Sequence, residues 1–591
     1  MSIYDKASLV LIPSGTKTSK VYSQKPTNGD GDFTFSRSTA ATRVNASGNI
    51  EKETQNLLIQ SDWDDVGTGV PPTGWGTFDP NFQAGALTGQ IRFITSGNRG
   101  YIYQNFAVST GVYTFSFYVD DVVDPSQISG AIALFGVSNT IITYAKDGVS
   151  CSGGEFLTAG SRFSVTANIT SAGTLNLRIG AGVTGPTTDD FTLSRPQGEQ
   201  GLVARDYIET TTTAIYGGIT DNVPRLDYTD SSCPALLLEP QRTNVVENSE
   251  YHSGSTYANQ NVSIVDNDAV SPEGLQNAAK IVLDNGSNPS NGGHSYSFNS
   301  TSGTTYTISV FAKAGEYRYF TFTYGSIAAG GGHFDLQEGT LLGTITHPAY
   351  SNETASIEDY GNGWYRLVVS LRDNSSATGR FLSMKPSPSA SVPANNNYPS
   401  TGDGVSGAYI YGFQLEEASY ATSYIPTYGS AVTRNADATD DLDTSSLLTQ
   451  SNNNTFFGEV VNHRNTGNTR FIASYDSARD NGDRILIYTG NGSSDYTLHC
   501  QYKVSGETSI QFNIKTNVNY GDTIKFAVVF NGTQMIGFAN GVKTATATIV
   551  DGDNFNKFDI TDVANEGGVY KQLILFPTAL TDQEAIDLTT I

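Results

Sequence analysis

Residues 224–249 read PRLDYTDSSCPALLLEPQRTNVVENS. The centre of this stretch is apolar, with leucine at positions 236–238, and Pro240 follows two residues later. Its last six residues, NVVENS, repeat the pattern of residues 56–61, NLLIQS. Repeats at a long spacing are typical of chains built from duplicated modules, so we interpret the stretch as a joint between two modules.

Arginine motifs mark the same joints. The Arg-Leu-Asp motif that begins at Arg225 parallels Arg-Val-Asn at residues 43–45 and Arg-Asn-Ala-Asp at residues 434–437. If the stretch is a joint, residues 236–238 are buried in a sheet or in an inter-module contact. We also expect Arg225 and Arg242 to bind neighbouring backbone or carboxylate groups.

The composition is typical of an all-β protein. The chain of 591 residues has 32 Tyr, 29 Phe and 61 Gly, and only 16% of its residues are charged. Aromatic and β-branched residues between frequent turn formers favour strands, and this length requires several domains. We therefore predict tandem antiparallel β-sandwich, or jelly-roll, modules.

Matching landmarks set the predicted domain boundaries. The strand pattern YTFSFY at residues 113–118 has a counterpart in YTISVF at residues 306–311, and Tyr207-Ile has one in Tyr424-Ile. Landmarks that recur in the same order indicate a diverged duplication. The predicted units are an N-terminal attachment segment (1–55), a first β-sandwich (56–215), a junction (216–243), a second β-sandwich (244–437), a linker (438–453) and a C-terminal jelly roll (454–591).

The last unit carries the clearest local signals. Two apolar strand patterns, residues 524–530 and 533–539, are each followed by an Asn-Gly pair. Asn and Gly tolerate a positive φ, so both pairs predict hairpins with type I′ turns. Thr581 and Glu584 form a capping-box pattern that predicts a short C-terminal helix.

Several function classes are disfavoured by the same sequence. A net charge of −24 without a basic run disfavours nucleic-acid binding, and there is no apolar run of membrane length. The N-terminus lacks the basic region of a secretory signal, and three distant cysteines do not form a disulfide framework.

No catalytic motif is recognisable. The six histidines lack zinc-ligand spacing, and there is no GxSxG elbow or phosphate-binding loop. The acidic pairs at residues 416–417 and 440–441 are adjacent only in sequence, whereas a glycosidase needs two carboxyl groups across a cleft. We predict no catalytic residue, and a polysaccharide-degrading enzyme with an unrecognised acid pair is the alternative.

Three parts of the sequence resemble known families. Residues 538–543 (FANGVK) and 572–581 (QLILFPTALT) resemble laminin-G-like, concanavalin A-like jelly rolls. Residues 363–366 (GWYR) and 411–416 (YGFQLE) look like pieces of carbohydrate-binding-module sandwiches. The combination of residues 35–43, 224–228, 236–244 and 424–428 resembles bacteriophage structural proteins of the tail-fibre or head-fibre kind.

This resemblance implies a virion protein that displays lectin-like modules. Its implied partners are host-surface carbohydrate and, through the N-terminal segment, other virion proteins. It also implies a homotrimer made in the host cytoplasm and released by lysis, with no nucleic-acid partner and no membrane insertion. A purely structural decoration protein without a ligand is the alternative within the same class.

Lectin-like sites stack aromatic rings on sugars, and five residues are candidates. Tyr101 and Tyr103 share a predicted strand face in the first sandwich, and Tyr317 and Tyr319 share one in the second. Trp75 lies in a loop rich in Pro and Gly. Burial in a sandwich core is the alternative for every one of these rings.

Acidic loops at residues 28–32, 476–483 and 551–553 have oxygen ligands that suit calcium. At residues 28–32 a plain turn is favoured, because the bidentate glutamate that should close a calcium loop is missing. Ordinary surface turns explain the other two loops equally well. We therefore assign no metal ligand and predict no cofactor, and structural calcium stays open.

Overall fold

The computed structural model describes residues 2–229, 231–288, 293–325, 329–394, 400–449, 452–463, 468–476, 483–491, 496–504, 506–550, 555–561 and 568–590. Strands dominate and pair into antiparallel sheets, which confirms the all-β, multi-sandwich prediction. None of the helices in these ranges has the length and apolar content needed to cross a membrane.

Short strands make up the N-terminal part of the chain, after a 3-10 helix at Ile3–Lys6. These strands are β1 (Leu9–Leu11), β2 (Thr16–Lys17), β3 (Lys20–Val21), β4 (Phe33–Ser36), β5 (Arg43–Val44), β6 (Ile50–Glu51) and β7 (Thr54–Asn56).

The first sandwich has two sheets around an aromatic and aliphatic core. Its elements are β8 (Gly76–Phe78), β9 (Phe82–Ala84), β10 (Gln90–Ile94), β11 (Gly100–Val108), β12 (Gly111–Asp124), α1 (Ile128–Ala131), β13 (Ile132–Phe135), β14 (Asn139–Lys146), β15 (Val149–Cys151), β16 (Arg162–Ile169), β17 (Gly173–Ala181) and β18 (Asp190–Gln200). The larger sheet has the order β15-β14-β16-β12-β18-β10-β9, and the smaller one has the order β13-β17-β11-β8.

The junction and the second sandwich follow. The junction strands are β19 (Ile215–Gly217), β20 (Arg225–Asp227), β21 (Ala235–Leu237) and β22 (Arg242–Asn244). The strands of the second sandwich are β23 (Tyr257–Gln260), β24 (Val262–Ala269), β25 (Ala278–Leu283), β26 (Gly286–Asn288), β27 (Gly293–Ser300), β28 (Thr305–Ala314), β29 (Tyr319–Tyr324), β30 (Gly330–Asp335), β31 (Thr340–Ile345), β32 (Tyr350–Asp359), β33 (Trp364–Asp373), β34 (Ala377–Ser387), β35 (Ser400–Gly402) and β36 (Gly407–Glu416).

The two sandwiches have equivalent topologies. One sheet of the second sandwich has the order β24-β25-β36-β28-β33-β32, which corresponds strand by strand to β9-β10-β18-β12-β16-β14. The other sheet, β23-β27-β34-β29-β30-β31, begins with the equivalent of β8-β11-β17-β13 and adds two strands. Because sheet order and chain order agree in both copies, the sandwiches are structural repeats.

A buried asparagine at the entry of each sandwich explains the repeated sequence motif. The Asn56 amide donates to two backbone carbonyls and its oxygen accepts from two backbone N–H groups. The Asn244 side chain does the same in the second copy. Both side chains are fully buried, so each one pairs the backbone of the entry segment with that of the last long strand.

The C-terminal unit is a jelly roll of two larger sheets. Its preceding strands are β37 (Val432–Arg434), β38 (Ala438–Thr439) and β39 (Leu442–Asp443), and its own elements are β40 (Thr455–Val461), β41 (Thr469–Tyr475), β42 (Arg484–Asn491), β43 (Tyr496–Lys503), β44 (Ile510–Lys515), β45 (Thr523–Phe530), β46 (Gln534–Ala539), β47 (Val542–Thr548), β48 (Lys557–Asp559), β49 (Val569–Phe576) and α2 (Asp582–Thr589). Thr581 caps α2 in a capping box with Glu584, as predicted.

One of the two predicted hairpin turns is wrong. At residues 540–541 both φ angles are positive, 48° and 78°, as a type I′ turn requires. At residues 531–532 only Gly532 has a positive φ, so that connection is not type I′. The Asn531 side chain instead accepts the backbone N–H of Gln534 and closes a wider turn.

The N-terminal segment is part of the C-terminal unit and does not form a separate arm. Strand β1 pairs with β49, and β4 pairs with β38. Leu9, Leu11, Phe33 and Phe35 are at most 1% exposed and belong to the jelly-roll core. Apolar strands of this kind are stable only when they are covered, and this explains why residues 2–36 do not stand apart as an attachment segment. Further along the predicted segment, β7 pairs with β19 and Ile50 packs against the second sandwich.

The predicted junction and linker also belong to this unit. Strand β21 pairs with β49, and Leu236 and Leu238 are buried in the jelly-roll core as the joint interpretation requires. Leu237 is half-buried and packs against a separate small cluster with Val461 and Val569. The predicted linker contributes β38, β39 and the buried side chains of Leu447 and Leu448. The linker prediction is therefore wrong, because this segment contains short paired strands despite its polar composition.

Three buried arginines and two carboxylates meet where the units join; we call this set the joint cluster. Asp437 pairs with Arg37 at 2.9 Å and with Arg225, while Glu239 pairs with Arg225 at 2.6 Å and with Arg434 at 2.7 Å. All five side chains are at most 10% exposed. Two of its arginines, Arg225 and Arg434, begin repeated sequence motifs, and the prediction that Arg225 binds carboxylates is confirmed. Arg43, which begins the third motif, lies outside the cluster and pairs with Glu51.

A second cluster joins the two sandwiches. The Lys52 ammonium lies 2.6 Å from Glu250 and 2.9 Å from Glu273, and Glu273 also pairs with Arg205 at 2.7 Å. Tyr428 accepts a further hydrogen bond from Lys52 at 2.7 Å. Because Arg205 belongs to the first sandwich and the two glutamates to the second, this cluster fixes one sandwich against the other.

These clusters predict a loss of stability in acid. Burial alone would raise the pKa of Glu239, but Arg434 and Arg225 hold that pKa well below its usual range. Arg205 and Lys52 lower the pKa of Glu273 in the same way. Unfolded glutamate titrates near pH 4.3, so the stabilisation is complete above that pH and is lost as pH falls towards the lower folded values.

We therefore expect the melting temperature to fall between about pH 4 and pH 2, measured by circular dichroism. Glu239→Gln removes one of the two glutamates whose protonation destabilises the fold. The melting temperature of this variant should therefore depend less on pH across the same range. If the melting temperature falls equally steeply with pH in the wild type and in Glu239→Gln, the assignment to Glu239 is contradicted.

Candidate functional site

The smaller sheet of the first sandwich exposes an aromatic outer face. Leu175, Leu177 and Ile179 of β17 point into the core, so the residues between them point outward. The same alternation operates in β11, where Ile102 is buried. We call the resulting surface the aromatic platform, and it consists of Phe78, Tyr101, Tyr103, Asn105, Phe135, Asn176 and Arg178.

Two stacked rings lie at one edge of the platform. Phe78 on the edge strand β8 is paired with Tyr101, and their ring centroids are 5.3 Å apart at an interplanar angle of 7°. Tyr101, on which Phe78 stacks, is only 3% exposed, whereas Phe78 is 46% exposed. Part of the Phe78 ring is therefore accessible to a ligand.

A glycine shapes the surface next to this stack. Gly76 lies opposite Tyr103, and a Cβ at this position would lie 2.3 Å from the Tyr103 ring carbon Cζ. The Tyr103 ring therefore lies across the backbone of β8. Only glycine permits so close an approach, so no side chain projects from position 76 beside the Tyr103 ring.

Arg178 forms the polar centre of the platform. Its guanidinium carbon lies 3.9 Å from the Phe135 ring centroid and 5.2 Å from that of Tyr101. Its Nε donates to Asn176 Oδ1 at 2.8 Å, and Asn176 Nδ2 donates to Asn105 Oδ1 at 2.8 Å. Stacking and this relay fix the guanidinium, which therefore needs little ordering when a ligand binds.

Of the three sequence candidates in the first sandwich, two lie on the platform and one lies in the core. Tyr101 and Tyr103 both lie on the platform, Tyr101 beneath Phe78 and Tyr103 half-buried over Gly76. Trp75 is 5% exposed, and its indole N–H donates to the Ile59 carbonyl at 3.0 Å. The expectation of an accessible Trp75 ring is corrected because this ring packs in the core, edge-on to Trp63 at 5.7 Å.

Tyr317 and Tyr319 do not share a face. Tyr317 precedes β29, where strand alternation does not apply, and it packs against the core of the second sandwich. Tyr319 lies at the outer start of β29, half-buried, with Arg318 over its ring at 5.1 Å. The predicted pair is therefore split between the inside and the outside of the sandwich.

The equivalent face of the second sandwich is covered in part. Its outward residues Thr323, His333, Ser383 and Lys385 are at most 2% exposed. His333 Nε2 lies 2.9 Å from the backbone oxygen of Ser389, which belongs to the segment after β34. Phe381 on the same outer face of β34 is 41% exposed, so the described part of this face is covered only in part.

Sequence reasoning missed five platform residues, which are Phe78, Asn105, Phe135, Asn176 and Arg178. Asn176 and Arg178 were detectable, because the alternation in residues 175–179 (LNLRI) places them outward. Phe78 and Phe135 lie on edge strands of three and four residues, which are too short to show a period. Only the pairing of those strands brings the two rings to Tyr101 and Arg178.

The acidic loops were examined for cation ligands. Asp32 pairs with Lys20 at 2.8 Å and accepts the Ser23 backbone N–H, as in a closed turn. Among the residues with described positions, no group of three His, Cys, Asp or Glu side chains is arranged to hold a metal ion. The loop interior at residues 477–482 and residues 551–554 lie outside the described residues.

No family model and no curated protein matches the chain. Among solved structures, it is similar to the CBM40 module of the IT-sialidase of Ruminococcus gnavus bound to alpha2,3 sialyllactose, at 15% identity and a TM-score of 0.21 over 24% of this chain and 83% of that one. A second structure of that module matches at 15% identity and a TM-score of 0.21, over 23% and 83% of the respective chains. A likeness at this level decides neither the fold nor the function.

Proposed function

We propose that this chain is a non-enzymatic glycan-binding protein whose site is the aromatic platform. The observation that carries the proposal is the open sheet face on which Phe78 and Tyr103 lie beside Asn105, Asn176 and Arg178. Aromatic rings pack against the apolar C–H faces of sugars, and amide and guanidinium groups bind the hydroxyl and ring oxygens. A shallow site of this kind binds weakly on its own.

The finer proposal is a bacteriophage virion structural protein, a fibre or decoration subunit that attaches to host-surface glycans. The sequence resemblance supports it, and so do the two buried charge clusters, which hold the units in a fixed arrangement. A homotrimer would present three platforms and convert weak contacts into avidity. Such a protein would be made in the host cytoplasm and released by lysis.

Attachment to other virion proteins would use a folded surface in this proposal. Strands β1 and β4 are packed on the C-terminal unit, so the contact would be formed by that unit together with the N-terminal strands. The glycan-binding face belongs to the first sandwich, and the two functions would therefore occupy different units of the chain.

The absence of catalysis is also a proposal. The densest groupings of carboxylates and cations in the described ranges are the joint cluster and the Lys52 cluster, and both are buried. In this proposal the carboxylates of both clusters bind arginine or lysine side chains to hold the units together and do not act on a substrate. Release of reducing sugar from host polysaccharide by the purified oligomer would overturn this part of the proposal.

Removing the exposed rings should abolish glycan binding. Phe78→Ala and Phe135→Ala each remove a half-exposed ring, and we expect each to weaken binding by about 1 kcal/mol, roughly five- to tenfold. The double variant should fall below detection on a glycan array and in titrations with host-surface polysaccharide. Phe381→Ala, which removes a 41% exposed ring of the second sandwich, is the matched control and should bind normally.

The competing candidate is a structural spacer without a ligand, which the rigid buried joints also suit. If the double variant of Phe78 and Phe135 binds glycan as well as the wild type, the platform is not the glycan-binding site. If the assembled wild-type oligomer binds no glycan, the spacer function is favoured.

A further inference from the structure

Arg178 is a surface arginine without a carboxylate partner among the described residues. In the same sandwich Arg92 pairs with Asp190 at 2.6 Å, and in the second sandwich Arg380 pairs with Asp373 at 2.8 Å. No carboxylate in the described ranges lies within ion-pair distance of Arg178. In a chain with 58 acidic and 34 basic residues, an unpaired and immobilised guanidinium requires an explanation.

The geometry leaves the binding edge of Arg178 free. The guanidinium lies over the Phe135 ring and near the Tyr101 ring, and its Nε is bound to Asn176. The two terminal nitrogens make no hydrogen bond to any described residue and are not among the buried unsatisfied atoms. They are therefore accessible, and a planar acceptor can approach them in the plane of the guanidinium.

A second unpaired arginine lies beside the same rings. The Arg99 guanidinium is 5.8 Å from the Phe78 ring centroid and, like Arg178, has no ion-pair partner in the described part of the chain. Phe78 and Tyr101 are stacked, so the two cations each pack on one ring of a single pair. The platform is a local positive site on a protein of net charge −24.

We infer that the platform selects carboxylated glycans, and that Arg178 binds the sugar carboxylate while Phe78 and Tyr103 carry the sugar ring. This inference rests on the proposed function. A carboxylate matches the guanidinium fork, and charge-assisted hydrogen bonds are about twice as strong as neutral ones. The surrounding negative potential repels an acidic polymer elsewhere and directs it to this site.

The test compares one polysaccharide in two forms. A hexuronic-acid polysaccharide and its carboxyl-reduced, neutral counterpart have the same linkages and differ only in charge. We expect the wild-type oligomer to bind the acidic form at least about tenfold more tightly at low salt, with the preference shrinking as salt is added. A sialylated oligosaccharide and its carboxyl-reduced form serve as a second pair, which separates hexuronic from nonulosonic acids as the source of the carboxylate.

Variants assign the effect to Arg178. Arg178→Gln should remove the preference for the acidic form, and Arg178→Lys, which keeps the charge without the planar fork, should keep part of it. Arg195→Gln is the matched control, since Arg195 is 47% exposed on the same sandwich and pairs with Asp120. Phe78→Ala should weaken both forms equally. Melting temperatures within a few degrees of wild type would show that the variants are folded.

The outcomes separate the inference from the proposed function. Equal binding of both polysaccharide forms would overturn the carboxylate inference and leave glycan binding intact. A preference that survives Arg178→Gln and disappears in Arg99→Gln would overturn the role of Arg178. Failure of the wild-type oligomer to bind either pair would overturn the proposed function together with the inference.

Discussion

Asp437→Asn should destabilise the chain more than any substitution of an exposed charge. The Asp437 carboxylate is buried and accepts hydrogen bonds from Arg37, Arg225 and the backbone N–H of Glu239. Asparagine removes the charge and turns an N–H group towards the guanidinium groups, so two buried cations lose a shared partner. Breaking a buried pair from one side costs about 3–5 kcal/mol.

The measurement is thermal unfolding followed by near-ultraviolet circular dichroism and calorimetry. Because a chain of several units unfolds in more than one step, the transition that moves identifies the unit that Asp437 stabilises. Glu338→Gln, at a side chain 62% exposed beside Arg318, is the control and should leave every transition in place. Unchanged transitions in Asp437→Asn would show that the joint cluster does not hold the units together.

Deleting residues 2–36 should prevent the C-terminal unit from folding. The deletion removes β1 and β4 and uncovers apolar side chains of the jelly-roll core, with Leu11 lying opposite Leu573. Leu11→Ala alone should destabilise this unit by about 2–5 kcal/mol, because Leu11 is fully buried. Leu87→Ala, at a leucine 69% exposed, is the matched control and should have little effect.

Limited proteolysis provides the readout for the deletion. Residues 454–590 should become sensitive to protease in the shortened chain, and adding a peptide of residues 2–36 should restore protection. A shortened chain whose C-terminal unit still unfolds cooperatively at the wild-type temperature would show that residues 2–36 form a detachable arm after all.

The repeats were predictable because they carry the same local chemistry twice. Asn56 and Asn244 each bind their own entry segment and their own last strand, so the motif around each one is short and local. Arg225 and Arg434 of the joint cluster could be recognised as repeated. Their place in the cluster could not, because Arg434 meets Glu239, and Asp437 meets Arg37, only after distant segments have folded together.

The N-terminal prediction was wrong for a related reason. A single strand such as β1 shows which of its residues are apolar but not which strand it pairs with, and β49 lies at the other end of the chain. Trp75 was misplaced because a loop rich in Pro and Gly is usually exposed, whereas its indole finds two backbone acceptors inside the sandwich. The platform depends in the same way on Phe78 and Phe135, whose neighbours are set by strand pairing.

The pairing of β1 with β49 also affects how the chain is made. During synthesis the leucines of β1 and the phenylalanines of β4 leave the ribosome long before their partner strand exists. At about 5–20 residues per second, they remain uncovered for roughly half a minute to two minutes. Nascent chains of this protein are therefore exposed to aggregation for that whole interval, and a chaperone that shields their first forty or so residues would raise the yield of folded protein.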